Sequence, residues 1–173
     1  MMTRRTLLFG GLSAIGAGAA AKFLTGSPQA GADEVTSGAT KTAAFEISRS
    51  EEEWRRLLTP AQYRVLREHG TESPESSALN KEHRAGTYHC AGCDLPLFSS
   101  TTKFESGTGW PSFWAPIENA VGTSEDRTLF FTVRTEVHCR RCGGHLGHVF
   151  EDGPPPTGLR YCMNGVSLRF VPA

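Results

Sequence analysis

Four of the five cysteines fall into two Cys-x-x-Cys units, Cys90-Ala-Gly-Cys93 and Cys139-Arg-Arg-Cys142. No other feature constrains the fold of this chain as strongly. Two residues between ligands let a tight turn aim both sulfurs at one ion, and four thiolates suit a tetrahedral Zn²⁺ with no open position. Such a site is structural. It pins two turns that are distant in sequence, so a substantial part of the domain must be inserted between them. The alternative is a pair of disulfides formed in an oxidising compartment. A thioredoxin-like redox role fits less well, because no βαβ pattern surrounds either unit.

The rest of the chain bounds what can surround that site. There are 173 residues, enough for one ordinary domain and short extras. Lys+Arg and Asp+Glu both number 18, and a neutral chain of this kind carries no electrostatic footprint for nucleic acid. A basic start at Arg4-Arg5, a short apolar run rich in Gly and Ala, and the small-x-small end Ala30-Gly31-Ala32 have the pattern of a signal peptide. The paired arginines and the weak hydrophobicity of the run fit the twin-arginine route, which exports folded proteins. The alternative is an uncleaved anchor. We therefore expect a signal over 1–32, a flexible lead-in over 33–44, and one folded domain over 45–173. The mature protein is expected to be periplasmic, without stable membrane association.

Two short helices should open the domain. Ser50-Glu-Glu-Glu53 is a capping box, and Trp54, Leu57 and Leu58 then share a face. Thr59-Pro60 starts the second helix, with Tyr63, Val65 and Leu66 on its buried side and Gly70 ending it. Residues 71–86 read as a surface loop. Beyond Gly86 the chain turns to short apolar segments, with strands expected at 87–89, 129–137, 160–163 and 166–171. Glu125-Asp126-Arg127 reads as a polar break before the longest of them, and Gly153-Pro-Pro-Pro156 as a stiff turn. The domain is therefore mainly β and mainly antiparallel.

The fifth cysteine stands in Arg160-Tyr-Cys162-Met-Asn164. A lone cysteine is often a small buried hydrophobe. Here Arg160, two residues away on a strand, points to the same face and favours the thiolate, which is the nucleophile. Asn164 falls on that face too. Gly144-His145-Leu-Gly-His148 follows the second cysteine pair and can aim two imidazoles at one pocket, although surface residues or further metal ligands carry the same pattern. His69, His83, His89 and His138 show no grouping. Phe104 to Trp114 is a glycine-rich loop that puts Trp110 and Phe113 within reach of a substrate, the alternative being aromatics of the core.

At these residues the chain resembles the methionine-R-sulfoxide reductases of the B type. Leu58-Thr-Pro-Ala-Gln-Tyr-Arg-Val, Gly86-Thr-Tyr-His-Cys90, Gly109-Trp-Pro-Ser-Phe113, Gly144-His-Leu-Gly-His-Val-Phe150 and Arg160-Tyr-Cys-Met-Asn164 stand in the family's order, and the likeness runs from about Ile47 to Phe170. The resemblance implies two antiparallel sheets forming an open barrel, with small helices near the N-terminus. It implies Cys162 as nucleophile, with His145, His148, Arg160 and Asn164 around it. Trp110 then holds the substrate methyl group, and Cys90, Cys93, Cys139 and Cys142 bind zinc. The chemistry follows from the parts. The thiolate attacks an electrophilic sulfoxide sulfur, an imidazole protonates the departing oxygen, and Cys162 is left as a sulfenic acid. His145 and His148 are equal candidates for the acid. The partners are oxidised peptides or proteins and an external thiol, small or thioredoxin-like. Two departures stand out. Thr108 occupies the position where many members carry a recycling cysteine, and Gly165 stands where Ser is more usual, a change expected to matter little. Residues 72–80 also fit the family pattern poorly. A non-catalytic zinc ribbon and a peroxidase remain as other readings of the same cysteines.

Overall fold

The computed structural model describes residues 45–129 and 132–173. The signal and lead-in expected over 1–44 lie outside the described residues. Helices α1 (Glu51–Leu57) and α2 (Pro60–Leu66) are each one short run fixed by a capping box. Ser50 accepts from the Glu53 N–H while the Glu53 carboxylate takes the Ser50 N–H, and Thr59 and Gln62 repeat the exchange. The caps matter because seven-residue helices cannot persist on propensity alone. Trp54 and Leu58, four apart, are buried, but Leu57 is 57% exposed and does not share their face. α2 buries Tyr63, Val65 and Leu66 and stops at Leu66, earlier than Gly70.

Among the described residues nine strands follow: β1 (Gly86–Cys90), β2 (Pro96–Ser99), β3 (Lys103–Phe104), β4 (Ser112–Phe113), β5 (Val121–Leu129), β6 (Thr132–Cys139), β7 (His145–Phe150), β8 (Arg160–Met163) and β9 (Leu168–Pro172). They make two antiparallel sheets, one ordered β2-β1-β9 and the other β3-β4-β8-β7-β6-β5, with no closed barrel. The 160–163 strand is where the sequence puts it. The 166–171 strand begins later, because a short 3-10 turn over Gly165–Ser167 intervenes. The polar break at Glu125-Asp126-Arg127 does not exist. Those residues lie inside β5, because cross-strand polar contacts replace apolar alternation there: Asp126 opposes Arg134 in register and pairs with it at 2.6 Å. The glycine-spaced segment 145–150 is strand β7.

One core fills the space between helices and sheets. Trp54, Leu66, Tyr88, Leu97, Phe98, Phe113, Val137, Leu146 and Met163 anchor it, and each such side chain contributes roughly 1.5–3 kcal/mol on burial. The segment 71–86 is more than a surface loop. Asn80 is buried and donates to Gly109 O at 2.8 Å, and the Glu75 N–H reaches the same carbonyl at 2.8 Å. These bonds brace the loop that carries Trp110. Gly109 sits at φ 92°, and a Cβ there would meet Pro74 at 2.8 Å, so the brace requires glycine.

Candidate active site and metal centre

The two Cys-x-x-Cys units close in the same way. Asp94 N–H bonds Cys90 O at 2.8 Å and Gly143 N–H bonds Cys139 O at 2.9 Å. Asp94 and Gly143 both adopt positive φ, at 61° and 66°. Each turn hangs from the end of a strand, β1 or β6, and the sheets bring them face to face. Cys90 Sγ lies 3.8 Å from Cys142 Sγ, and Cys93 Sγ lies 3.5 Å from Cys139 Sγ. All four sulfurs fall within 4.8 Å of one another, and all are free thiols. A disulfide would bring a pair to about 2.05 Å, whereas a tetrahedron with metal–sulfur bonds of about 2.3 Å has edges of about 3.8 Å. The donor set therefore fits one tetrahedral metal ion and not the two-disulfide alternative.

Cys162 is on the other side of the larger sheet's centre. It opposes His148 on β7 and Ser112 on β4. Directly opposed side chains lie on one face within about 5 Å at Cβ, so thiol and imidazole are neighbours. Cys162 is half-buried in a cavity of about 120 Å³ that Trp110, Arg134, His148, Phe150 and Asn164 also line. Arg160 shares the Cys162 face. The Asp152 carboxylate grips it at 2.8 and 2.9 Å, and its ring neighbour Phe150 lies 4.4 Å below the guanidinium. Asp152 first, and the adjacent Cys162 as well, hold that guanidinium above its ordinary range. Thr108 Oγ1 is 3.8 Å from Cys162 Sγ.

The structure separates the two histidines that the sequence could not. His148 lines the Cys162 cavity. His145 does not: it is 2% exposed and stands behind, its ring 5.4 Å from that of His148. Each is tied to its own carboxylate. His148 Nε2 meets Asp126 Oδ2 at 2.8 Å, and His145 Nδ1 meets Glu136 Oε1 at 2.7 Å. Burial pushes the His148 pKa below 6.5, against the Asp126 bond that raises it. Glu136 is drawn down to about 2, chiefly by His145.

Of the two candidate substrate aromatics, only Trp110 reaches the cavity. Phe113 is a correction. It is fully buried, stacked on Phe98 at 4.4 Å and edge-on to Tyr88 at 4.9 Å. The reason is alternation: Phe113 on β4 points to the core beside Ser112, which opposes Cys162.

Three contributors were missed: Asp126, Arg134 and Glu72. Glu72 ties the site together. Its N–H donates to Asn164 Oδ1 at 3.0 Å, its carbonyl accepts from the Trp110 indole at 3.2 Å, and its carboxylate accepts from the Gly165 and Val166 N–H groups at 2.6 and 3.1 Å. Asn164 is consequently fixed at both ends, its Nδ2 donating to Leu146 O at 3.0 Å. A Cβ on Gly165 would stand 1.9 Å from Ser77 Oγ, so the glycine matters more than expected: it admits the 72–80 segment that delivers Glu72. Glu72→Ala is expected to lower kcat/KM by about tenfold with little change in melting temperature, because small displacements of positioned groups are costly in rate. A fall in melting temperature with unchanged kcat/KM would show a purely structural role.

A mainly antiparallel domain stapled at a four-cysteine cluster, with a separate cysteine among histidine, arginine and tryptophan, has the build of a thiol oxidoreductase. Residues 58–172 match the family model described as the SelR domain. The chain is 58% identical over 127 residues to the peptide methionine sulfoxide reductase MsrB of Pseudomonas putida (strain W619), covering 73% of this chain and 96% of that protein. It is 53% identical over 126 residues to the MsrB of Leptospira interrogans, covering 73% and 96%, and 57% identical over 124 residues to that of Methanosarcina barkeri, covering 72% and 87%. The chain belongs to the SelR-domain family of B-type peptide methionine sulfoxide reductases, which are oxidoreductases.

Proposed function

We propose that this protein reduces the R epimer of methionine sulfoxide in peptides and proteins, with Cys162 as nucleophile. The register of β7 on β8 carries this reading: it sets Cys162 against His148 in a cavity walled by Trp110. The Trp110 face receives the substrate methyl group, where a sulfur–aromatic contact contributes roughly 0.3–1.5 kcal/mol. The Cys162 sulfur attacks the sulfoxide sulfur as the thiolate, the nucleophilic form of a cysteine. His148, held through Nε2 by Asp126, donates a proton to the departing oxygen. His145 and Glu136 back the His148 ring. The oxygen ends on Cys162 as a sulfenic acid, methionine leaves, and the sulfoxide has gained two electrons from the cysteine sulfur.

Thr108 stands beside that sulfenic acid and has no thiol to condense with it. An external thiol, small or thioredoxin-like, therefore displaces water to form a mixed disulfide, and a second thiol releases Cys162. Cys90, Cys93, Cys139 and Cys142 hold one Zn²⁺, which supplies structural support alone. The physiological setting is the periplasm, reached by the twin-arginine route that Arg4-Arg5 favours. N-terminal sequencing of the protein from an envelope fraction should begin just after Ala32, and an intact Met1 would overturn the cleaved-signal reading.

The activity is tested with a short peptide carrying each sulfoxide epimer, with dithiothreitol as reductant. Turnover of the R epimer with the S epimer essentially untouched is expected. Equal rates on both epimers would count decisively against the assignment.

A further inference from the structure

A second group of metal-ligating side chains lies behind the Cys162 cavity. His69 follows α2, Glu136 is on β6, and His145 opens β7. Both imidazoles converge on one carboxylate oxygen: His145 Nδ1 lies 2.7 Å and His69 Nδ1 lies 3.0 Å from Glu136 Oε1, and the rings are 5.2 Å apart. The ligand atoms of the three residues fall within 4.8 Å of one another. Nitrogen and oxygen ligands at about 2.0–2.2 Å from a divalent ion stand about 2.9–3.5 Å from each other, so the convergence comes close to a coordination geometry.

The surroundings favour a cation. The Ser124 hydroxyl donates to Glu136 Oε2 at 2.6 Å and orients the carboxylate, the kind of outer contact that supports a ligand. Glu136 is ionised at neutral pH, its pKa drawn down to about 2. His145 Nε2 is buried without a partner, leaving Nδ1 as the ring's only polar anchor. A cavity of about 370 Å³ opens onto the three residues, and His69 is exposed at its edge, so an ion has a route in. The arginines on that cavity are already matched, Arg134 by Asp126 and Arg127 by Glu125. Glu136 is therefore the carboxylate there that, among the described residues, pairs with histidines and with no lysine or arginine. His138 also faces it, with Nδ1 3.9 Å from Oε2.

We propose that His69, Glu136 and His145 form a second, exchangeable site for a borderline divalent cation of the zinc, nickel or cobalt kind. The set of two imidazoles and one carboxylate is the three-ligand set that leaves positions open to water. The His145 ring is 5.4 Å from that of His148. On the reading that His148 is the proton donor, an ion held through His145 alters the ring that stands behind His148, and occupancy slows sulfoxide reduction.

The test uses the full chain with its four-cysteine cluster loaded with zinc and with Cys162→Ser, which removes the remaining thiol. Co²⁺ is titrated by absorption and calorimetry. One further equivalent should bind, with ligand-field bands and without a thiolate charge-transfer band. His69→Ala in the same background should weaken it by more than the roughly 10–100-fold that loss of a supporting contact costs. Equal affinity with and without His69, or no second equivalent, would overturn the site. In a separate arm, Zn²⁺ should slow turnover of the protein with Cys162 intact, and His69→Ala should return the ratio of rates with and without zinc towards one. A saturated second site with undiminished turnover would overturn the inhibition and leave the site standing.

Discussion

Cys162→Ser is expected to lower the reduction of peptide methionine sulfoxide by at least about 100-fold, equivalent to about 2.7 kcal/mol of transition-state stabilisation. The substitution is nearly isosteric, and Cys162 is only half-buried, so the fold should survive. Its neighbours in the cavity, Trp110, His148 and Asn164, are held by bonds that do not involve the thiol: to Glu72 O, to Asp126, and to Leu146 O. What changes is the nucleophile. A serine hydroxyl beside Arg160 remains protonated at neutral pH, and it cannot take up the sulfoxide oxygen as a sulfenic acid. The four-cysteine cluster is built from other strands' ends and should keep its metal. The measurement is paired: turnover of the R-sulfoxide peptide and zinc content of the same preparation. Turnover above about one per cent of the unmodified protein, a loss of less than about 2.7 kcal/mol, would remove Cys162 from the mechanism. Lost turnover accompanied by lost zinc would indicate collapse and leave the chemistry to be tested by Cys162→Ala.

How much of this site is legible in sequence depends on whether its parts are local. The two Cys-x-x-Cys turns are legible because each is a closed local structure whose spacing fixes its geometry. Cys162, Arg160 and Asn164 are legible as a strand with period two, and the cation falls on the thiol's face as that period requires. Phe113 and Trp110 are not separable by composition. They sit three residues apart in one loop motif, and only the pairing of β4 with β8 decides that Phe113 turns inward. The choice between His145 and His148 likewise depends on the register of β7 on β8, which no residue within β7 specifies. Asp126 and Arg134 were hidden by the opposite problem: a run of charges looks like a loop until its partner strand is known. Glu72 and His69 lie farthest from legibility. Each acts through contacts with residues far along the chain, Asn164 for one and Glu136 for the other.

Removing the metal from the four-cysteine cluster is expected to lower the melting temperature by about 15–25 °C. The cluster joins the three-stranded sheet, through Cys90 at the end of β1, to the six-stranded sheet, through Cys139 at the end of β6. Cys90, Cys139 and Cys142 are all buried against the core that Trp54 and Leu66 share. Without a cation, four sulfurs within 4.8 Å of one another, three of them buried, must be accommodated with little water to solvate them. The neighbouring sulfurs, first that of Cys139, and burial push the Cys90 thiol far above its ordinary range. A dication lets all four ionise, and its binding energy becomes folding energy, because the unfolded chain has no preformed site. If about 5 kcal/mol of that energy is lost, a domain of this size should melt lower by about 3–5 °C per kcal/mol, which gives the stated range. Acidification should act in the same direction. Protons compete for the thiolates, so the metal-dependent part of stability is present at neutral pH and falls away as pH drops through the range where zinc is released. The measurement is thermal unfolding before and after chelation, with elemental analysis of both samples and reduction throughout. One zinc per chain, lost together with the high-temperature transition, is the expected outcome. A protein that contains no metal, melts unchanged in chelator and carries two disulfides would overturn the zinc reading.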